Sequence, residues 1–250
     1  LLPGTIKPDV EGFIPGQDND IVGSKFFAEC LDGRAIRSRG DAVRTTYLEH
    51  FMDTKKYPVG SEINVASLAC GAAEVVFEAT AELQRVRPDL KINVTLADQD
   101  VQALERARLF AESKEELQQI NFTYTEANIL SPKALAEMTV ATHGKGFDFI
   151  DIVGFLEYLP ARTAKRFMSL AYDMVGQDGL LCAANMRDTH EQLEFTTNCV
   201  RWPYIIPRSL PTLATMTEEA CDLKPSDVTM VLPTDGAYTL VNIKKSSQFA

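Results

Sequence analysis

The chain has 250 residues, 45% of them hydrophobic, a formal net charge of -10 and no block of Lys and Arg. That length and apolar content fit one substantial core, and the acidic balance gives nucleic acid a repulsive surface. No apolar run approaches the roughly 18 residues that span a bilayer, and Cys30, Cys70, Cys182, Cys199 and Cys221 are scattered without Cys-x-x-Cys or metal-ligand spacing to a His, which predicts reduced thiols, no metal site and a cytoplasmic protein.

Residues 1 to about 22 carry Pro and Gly among acids and predict an irregular segment that wraps the surface and could order over a ligand. Residues 1–40 are read as an N-terminal extension, and 41–250 as the main domain. Asp41, after Gly40, is the expected N-cap of a helix with Val43, Tyr47 and Phe51 on its apolar face. From Glu62 onward, strand-like runs alternate with helical patterns. Strands are expected at 62–69, 91–97, 121–126, 147–153 and 179–185, with helices over both faces of the sheet.

Three helix faces stand out: Ala72, Val76, Ala79, Leu83 and Val86 before Pro88; Val101, Leu104, Ala107 and Ala111; and Ala164, Phe167, Ala171 and Met174. Beyond a polar and aromatic stretch around Trp202, a helix from about Ser209 to Cys221 precedes strands at 227–232 and 237–244. These are joined by Pro233-Thr234-Asp235-Gly236, whose Asp-Gly is a hairpin signal. The predicted fold is α/β: a doubly wound, mostly parallel seven-stranded sheet ending in an antiparallel hairpin. The Asn-x-Thr sequons at Asn93 and Asn121 fall inside predicted strands and read as chance matches.

Chemistry concentrates at Ile63-Asn64-Val65-Ala66-Ser67-Leu68-Ala69-Cys70-Gly71-Ala72-Ala73-Glu74. A β-rich run stops at small residues and turns straight into a helix, so unhindered backbone and a helix N-terminus face whatever sits above the strand. Asp98, at the tip of the next strand, offers a carboxylate to the hydroxyls of a ribose, and its distance from Gly71 fits one β-α-β unit. A dinucleotide fingerprint needs three glycines for a pyrophosphate. Here Gly71 stands alone, which suits a ligand that crosses the turn without planting phosphates in it, such as S-adenosylmethionine.

On this loop and this order of elements, the chain resembles the class I S-adenosylmethionine-dependent methyltransferases over roughly residues 40–245. Ser67 stands where an acid is usual in that family, and Ala69 and Ala73 where glycines are usual. More narrowly, Gly154-Phe155-Leu156-Glu157-Tyr158-Leu159, Ala184-Asn185-Met186 and Trp202-Pro203-Tyr204-Ile205-Ile206-Pro207-Arg208 are similar to a bacterial branch that includes proteins linked to fatty-acid methyl ester signals.

The resemblance implies that Ser67, Ala69 and Gly71 lie beside the methionine and ribose parts of the cofactor, and that Asp98, with its neighbour Gln99, meets the ribose hydroxyls. It also implies that Asn128 reaches the adenine amine beside Ile129, and that Gly154 and Phe155 border the sulfonium. Ser67 in place of an acid weakens the expected hold on the cofactor's ammonium. The Asp/Asn-Pro-Pro-Tyr/Phe element tied to methylation of planar amino nitrogens is missing, since Asp151-Ile152-Val153-Gly154 stands there. The implied acceptor is therefore an oxygen or nitrogen of a small-molecule or lipid-like substrate.

Glu157 and Tyr158 after strand four, and His190 after strand five, are the candidates for a general base. The bland alternatives are an ion-paired residue at a helix entrance, a half-buried aromatic and an exposed helix start. Arg37 and Arg39 are either a clamp for the cofactor's carboxylate or a surface charge cluster. Trp202 is either a pocket wall or an anchor for its segment. The rival readings are a non-catalytic cofactor-binding or protein-interaction module on the same fold, an NAD-dependent oxidoreductase and an aminopropyl transferase.

Overall fold

A computed structural model describes residues 25, 26, 28–199, 201, 202, 204–221, 223 and 227–246. The surface-wrapping segment expected at residues 1 to about 22 lies outside them. The strands are β1 (Glu62–Leu68), β2 (Lys91–Asp98), β3 (Asn121–Glu126), β4 (Phe147–Ile152), β5 (Val175–Met186), β6 (Val228–Val231) and β7 (Tyr238–Lys244). The helices are α1 (Leu31–Phe51), α2 (Glu74–Val86), α3 (Val101–Ser113), α4 (Pro132–Ala141), α5 (Ala161–Met174), α6 (Leu193–Asn198) and α7 (Leu210–Cys221).

The sheet order is β3-β2-β1-β4-β5-β7-β6, parallel from β3 to β5 and antiparallel at β5/β7 and β7/β6. This is the doubly wound α/β sheet with a terminal hairpin that the sequence predicts. The period of two in the strands divides the core. Val65 and Phe149 pack with Val43, Tyr47 and Phe51 of α1 and with apolar positions of α2 and α3 on one face. Ala66, Ile150 and Ile152 pack with α4, α5 and α7 on the other. Strand order reverses between β1 and β4, which opens a crevice at their carboxyl ends, where such sheets bind ligands.

Three local expectations are corrected. Helix α1 begins at Leu31, ten residues before Asp41, and so runs through the boundary placed at residue 40. Gly40 is interior to it, and an added Cβ there would come within 3.2 Å of Val75 on α2, so this glycine serves helix-helix contact and ends nothing. Val86 and Val101 are exposed, because α2 and α3 present narrower buried stripes than their apolar spacing implies. Strand β5 begins directly after α5: Val175 pairs with Phe147 but Leu180 with Phe149, so a bulge absorbs the residues between.

The strands at Asn93 and Asn121 form as expected, and their amides join a cross-strand row. Asn93 Nδ2 donates to Glu62 and Asn64, and Asn121 Nδ2 donates to Asn93. This row faces a polar groove beside α4. Among the described residues no helix is long and apolar enough to cross a membrane, and no group of three His, Cys, Asp or Glu could hold a metal ion.

Candidate functional site

A cavity of about 570 Å³ opens at the carboxyl ends of β1 and β4. Its floor is the bend from Ala69 to Ala73, in which Ala69, Gly71 and Ala73 have φ of 55°, 54° and 59°. A left-handed backbone at alternate positions tightens the turn so that α2 begins immediately at Glu74. The two alanines bear a strain that glycine would avoid. A Cβ added at Gly71 would meet nothing within 4 Å, so the bend is open above its glycine.

Asp98 latches this bend. Its Oδ2 accepts the Gly71 amide at 2.8 Å and its Oδ1 the Asp100 amide at 2.9 Å. The N-cap of α3 is Asp100, whose carboxylate accepts from Gln102 and Ala103. Asp98 adjoins the cavity without lining it; the wall on that side comes from Asp100, Ala103 and Arg106.

The opposite wall is built from β4, α1 and the segment after β5. Gly154, at φ 91°, lies so close to Arg39 that an added Cβ would stand 3.1 Å from both terminal guanidinium nitrogens. Arg39 Nη1 lies 3.6 Å from Glu157 Oε1, and the Arg39 guanidinium sits 4.4 Å from the centre of the Tyr238 ring. Glu157 is fully buried, and among the described residues both of its carboxylate oxygens lack a hydrogen-bond partner, as does Arg39 Nε. Burial pushes the Glu157 carboxyl above its ordinary pKa, against the pull of the Arg39 and Arg208 charges. Tyr158, next to it, accepts a hydrogen bond from Trp202 Nε1, and both rings line the cavity.

The turn after β4, the end of β5 and the segment carrying Trp202 meet here around Arg208. Its guanidinium donates to the carbonyls of Leu156 and Leu159 and to Asn185 Oδ1. Ile206 N donates to the Glu157 carbonyl at 2.6 Å, and Asn185 Nδ2 to the Met186 carbonyl at 2.7 Å. One buried cation thus ties the turn after β4, the end of β5 and the segment carrying Trp202 into a single wall.

Of the expected site residues, Arg39, Ser67, Ala69, Gly71, Gly154, Glu157 and Tyr158 come together in the cavity. Others do not. Gln99 is exposed beyond Asp98, and Ile129 is buried among α4 and β4 residues. Phe155 packs its ring edge against Phe167. Asn128 accepts the Leu130 amide and lines the polar groove beside α4. Arg37 donates to the Ala28 carbonyl, so the expected arginine pair is split.

His190 is a further correction. It is 5% exposed and absent from the cavity lining; its Nε2 lies 2.7 Å from Asp32 Oδ1, and the Thr196 hydroxyl reaches both oxygens of Asp32. It fastens α1 to α6 and is neither an exposed helix start nor placed to touch a ligand in the cavity.

Trp202 is a pocket wall. Asp151 was missed as a site residue, although a charge inside the apolar run Phe147-Asp148-Phe149-Ile150-Asp151-Ile152-Val153 is a readable signal. Its Oδ1 accepts from the Ser67 hydroxyl at 2.9 Å, and both residues line the cavity.

No family model matches the chain, and no curated protein matches its sequence. Solved structures do share its fold. A protein named as a possible exported protein of Bordetella parapertussis is 16% identical with a TM-score of 0.69, over 94% of this chain and 77% of the other. An O-methyltransferase family protein of Burkholderia thailandensis is 19% identical with a TM-score of 0.59, over 90% and 63%. The magnesium protoporphyrin IX methyltransferase of Synechocystis PCC 6803, solved with S-adenosylhomocysteine bound, is 11% identical with a TM-score of 0.59, over 94% and 91%. At these identities the likeness is one of fold.

Proposed function

We propose that this chain is an S-adenosylmethionine-dependent methyltransferase acting on an oxygen or nitrogen of a small or lipid-like acceptor. The observation that carries this reading is the cavity over the single-glycine bend, in a sheet of this order closed by an antiparallel hairpin. The residues fit such a ligand. The space above Gly71 is open, whereas Ala69 and Ala73 put methyl groups where a pyrophosphate would need close approach to the backbone. Asp98 and Asp100 offer carboxylates beside the bend for a ribose, and Arg39 offers a guanidinium at the other end for a carboxylate.

Bound S-adenosylmethionine supplies a methyl group already activated by its sulfonium, so the protein's task is alignment and exclusion of water. Gly154 leaves room at the end of β4, and the Tyr158–Trp202 pair shields the cavity on that side. Glu157 lines the cavity and its oxygens lack hydrogen-bond partners among the described residues, which supports it as the group that takes a proton from an acceptor hydroxyl or ammonium. Its raised pKa makes it a stronger base than an exposed carboxylate.

Calorimetry with S-adenosylmethionine, S-adenosylhomocysteine and NAD is the test. Binding of the sulfur ligands without NAD is expected, followed by one added methyl, read by mass spectrometry, on a member of a panel of fatty acids and small alcohols and amines. Binding of NAD alone would overturn the reading, and binding of none of the three would favour a module that works through a protein partner.

A further inference from the structure

A ligand with an amino-acid end carries a cation and an anion side by side, so its site needs one fixed charge of each sign. At the β4 end of the cavity Arg39 supplies the positive one. Four acidic side chains line the cavity: Glu74, Asp100, Asp151 and Glu157. Asp100 is exposed on the opposite wall, the side assigned above to the ribose, and Glu74 belongs to the first turn of α2. Glu157 already faces Arg39.

Asp151 differs from these three. It is 7% exposed, it lies in direct register with Ser67 across the β1/β4 ladder, and among the described residues the Ser67 hydroxyl is the one side chain that donates to it. Among the described residues it has no ion-pair partner. A carboxylate this buried, with one hydrogen bond and no counter-charge, is costly unless a cation arrives from the cavity it borders. Its position also answers the departure at Ser67. The strand beside Ser67 carries, at the matching level, the acid that β1 lacks, and Gly154, three residues further along the chain and just past β4, is where Arg39 lies.

We propose that Asp151 is the anchor for the ammonium of the cofactor's amino-acid end, with Ser67 orienting its carboxylate and Arg39 facing the neighbouring carboxylate of the ligand. This rests on the adenosyl-sulfur ligand assigned above. The site is thus built from two strands: the hydroxyl on β1 donates to one oxygen of Asp151 and leaves the other for the ligand. Burial holds the Asp151 pKa up at about 7, the cost expected of an acid awaiting a cation.

The test compares S-adenosylhomocysteine, its deaminated analogue that keeps the carboxylate, and methylthioadenosine, which has no amino-acid end, on three proteins: wild type, Asp151→Asn and the transposed pair Ser67→Asp/Asp151→Ser. In wild type, removal of the amino group should cost about ten- to a hundred-fold in affinity, the usual worth of a buried charge-assisted hydrogen bond. Asp151→Asn should lose that discrimination while binding methylthioadenosine as wild type does. The transposed pair should regain it, and it decides the matter alone if Asp151→Asn does not fold. Equal binding of S-adenosylhomocysteine by wild type and Asp151→Asn, or failure of wild type to sense the amino group, overturns the assignment while leaving the cofactor reading intact. If wild type binds none of the three ligands, both fall.

Discussion

Asp98 holds the backbone amide of Gly71 with one carboxylate oxygen and that of Asp100 with the other, at 2.8 and 2.9 Å. One side chain at the end of β2 thereby fixes both the bend after β1 and the entrance to α3. Asp98→Ala leaves two amides without partners and should cost about 1–3 kcal/mol in urea denaturation. S-adenosylhomocysteine affinity should fall at least about ten-fold, because the bend loosens and a ribose partner is lost. Unchanged stability would remove the latch, and unchanged affinity would remove the ribose contact.

Gly71→Ala separates folding from binding at the same bend. The new methyl meets no protein atom, so the stability cost is backbone strain alone, about 1–2 kcal/mol at φ 54°. It projects into the open space of the cavity, however, and should abolish measurable calorimetric binding of S-adenosylhomocysteine. Wild-type affinity in this variant would show that the ligand does not cross the bend.

Asp151 also makes a stability prediction for the protein without ligand. Burial raises its pKa from 3.8 in the unfolded chain to about 7 in the folded one. The folded state therefore binds this proton more tightly, and stability is lost as pH rises from about 4 through 7. The titratable groups facing it, Tyr47, Cys70 and Cys182, are themselves held neutral by burial across that range. Asp151→Asn should accordingly raise stability at pH 8 by about 4 kcal/mol, and the gain should vanish near pH 4. Thermal denaturation at both pH values checks this; a gain independent of pH would show that the carboxylate is not the source.

His190→Ala should damage the fold and spare the site. Removing the imidazole leaves the buried Asp32 carboxylate, among the described residues, with only the Thr196 hydroxyl and opens a gap between α1 and α6, a loss of about 2–4 kcal/mol. The folded fraction should bind S-adenosylhomocysteine within about two-fold of wild type, as expected where a side chain does not reach the ligand. A stable variant with a large drop in methyl transfer at saturating ligand would restore His190 as a base.

What could be read along the chain was whatever depends on near neighbours. The period-two runs of β1, β2 and β4 and the Asp235-Gly236 turn are local patterns, and those elements form within a residue or two of where the patterns place them. Gly71 and Gly154 were readable for the same reason, since each follows directly on a strand. Gly40 misled because a glycine just before a helix start and one inside a helix that admits a neighbouring helix look alike until Val75 is seen beside it. The start of β5 lies at Val175, ahead of the expected 179, because the strand carries a bulge across Gly176, Asp178 and Gly179, residues that break its apolar pattern.

The site was less legible because its relationships are long-range. Ser67 and Asp151 are 84 positions apart and touch only because β1 and β4 are neighbours in the sheet, so the serine looked like a deficit on its own strand. Asp32 and His190, 158 positions apart, are a similar case with the opposite outcome: a histidine that looked reactive is committed to another side chain.

The asparagine row on β1, β2 and β3 carries a consequence for the chain when it is passed through a eukaryotic secretory pathway. Both sequon asparagines sit in paired strands with their amide nitrogens already donating to neighbours, so an oligosaccharyl transferase could act on them only before the sheet closes. Secreted from a eukaryotic cell, the protein would carry sugar at Asn93 or Asn121 in proportion to how long each strand stays unpaired, and the glycoform ratio would serve as a clock for assembly of this edge.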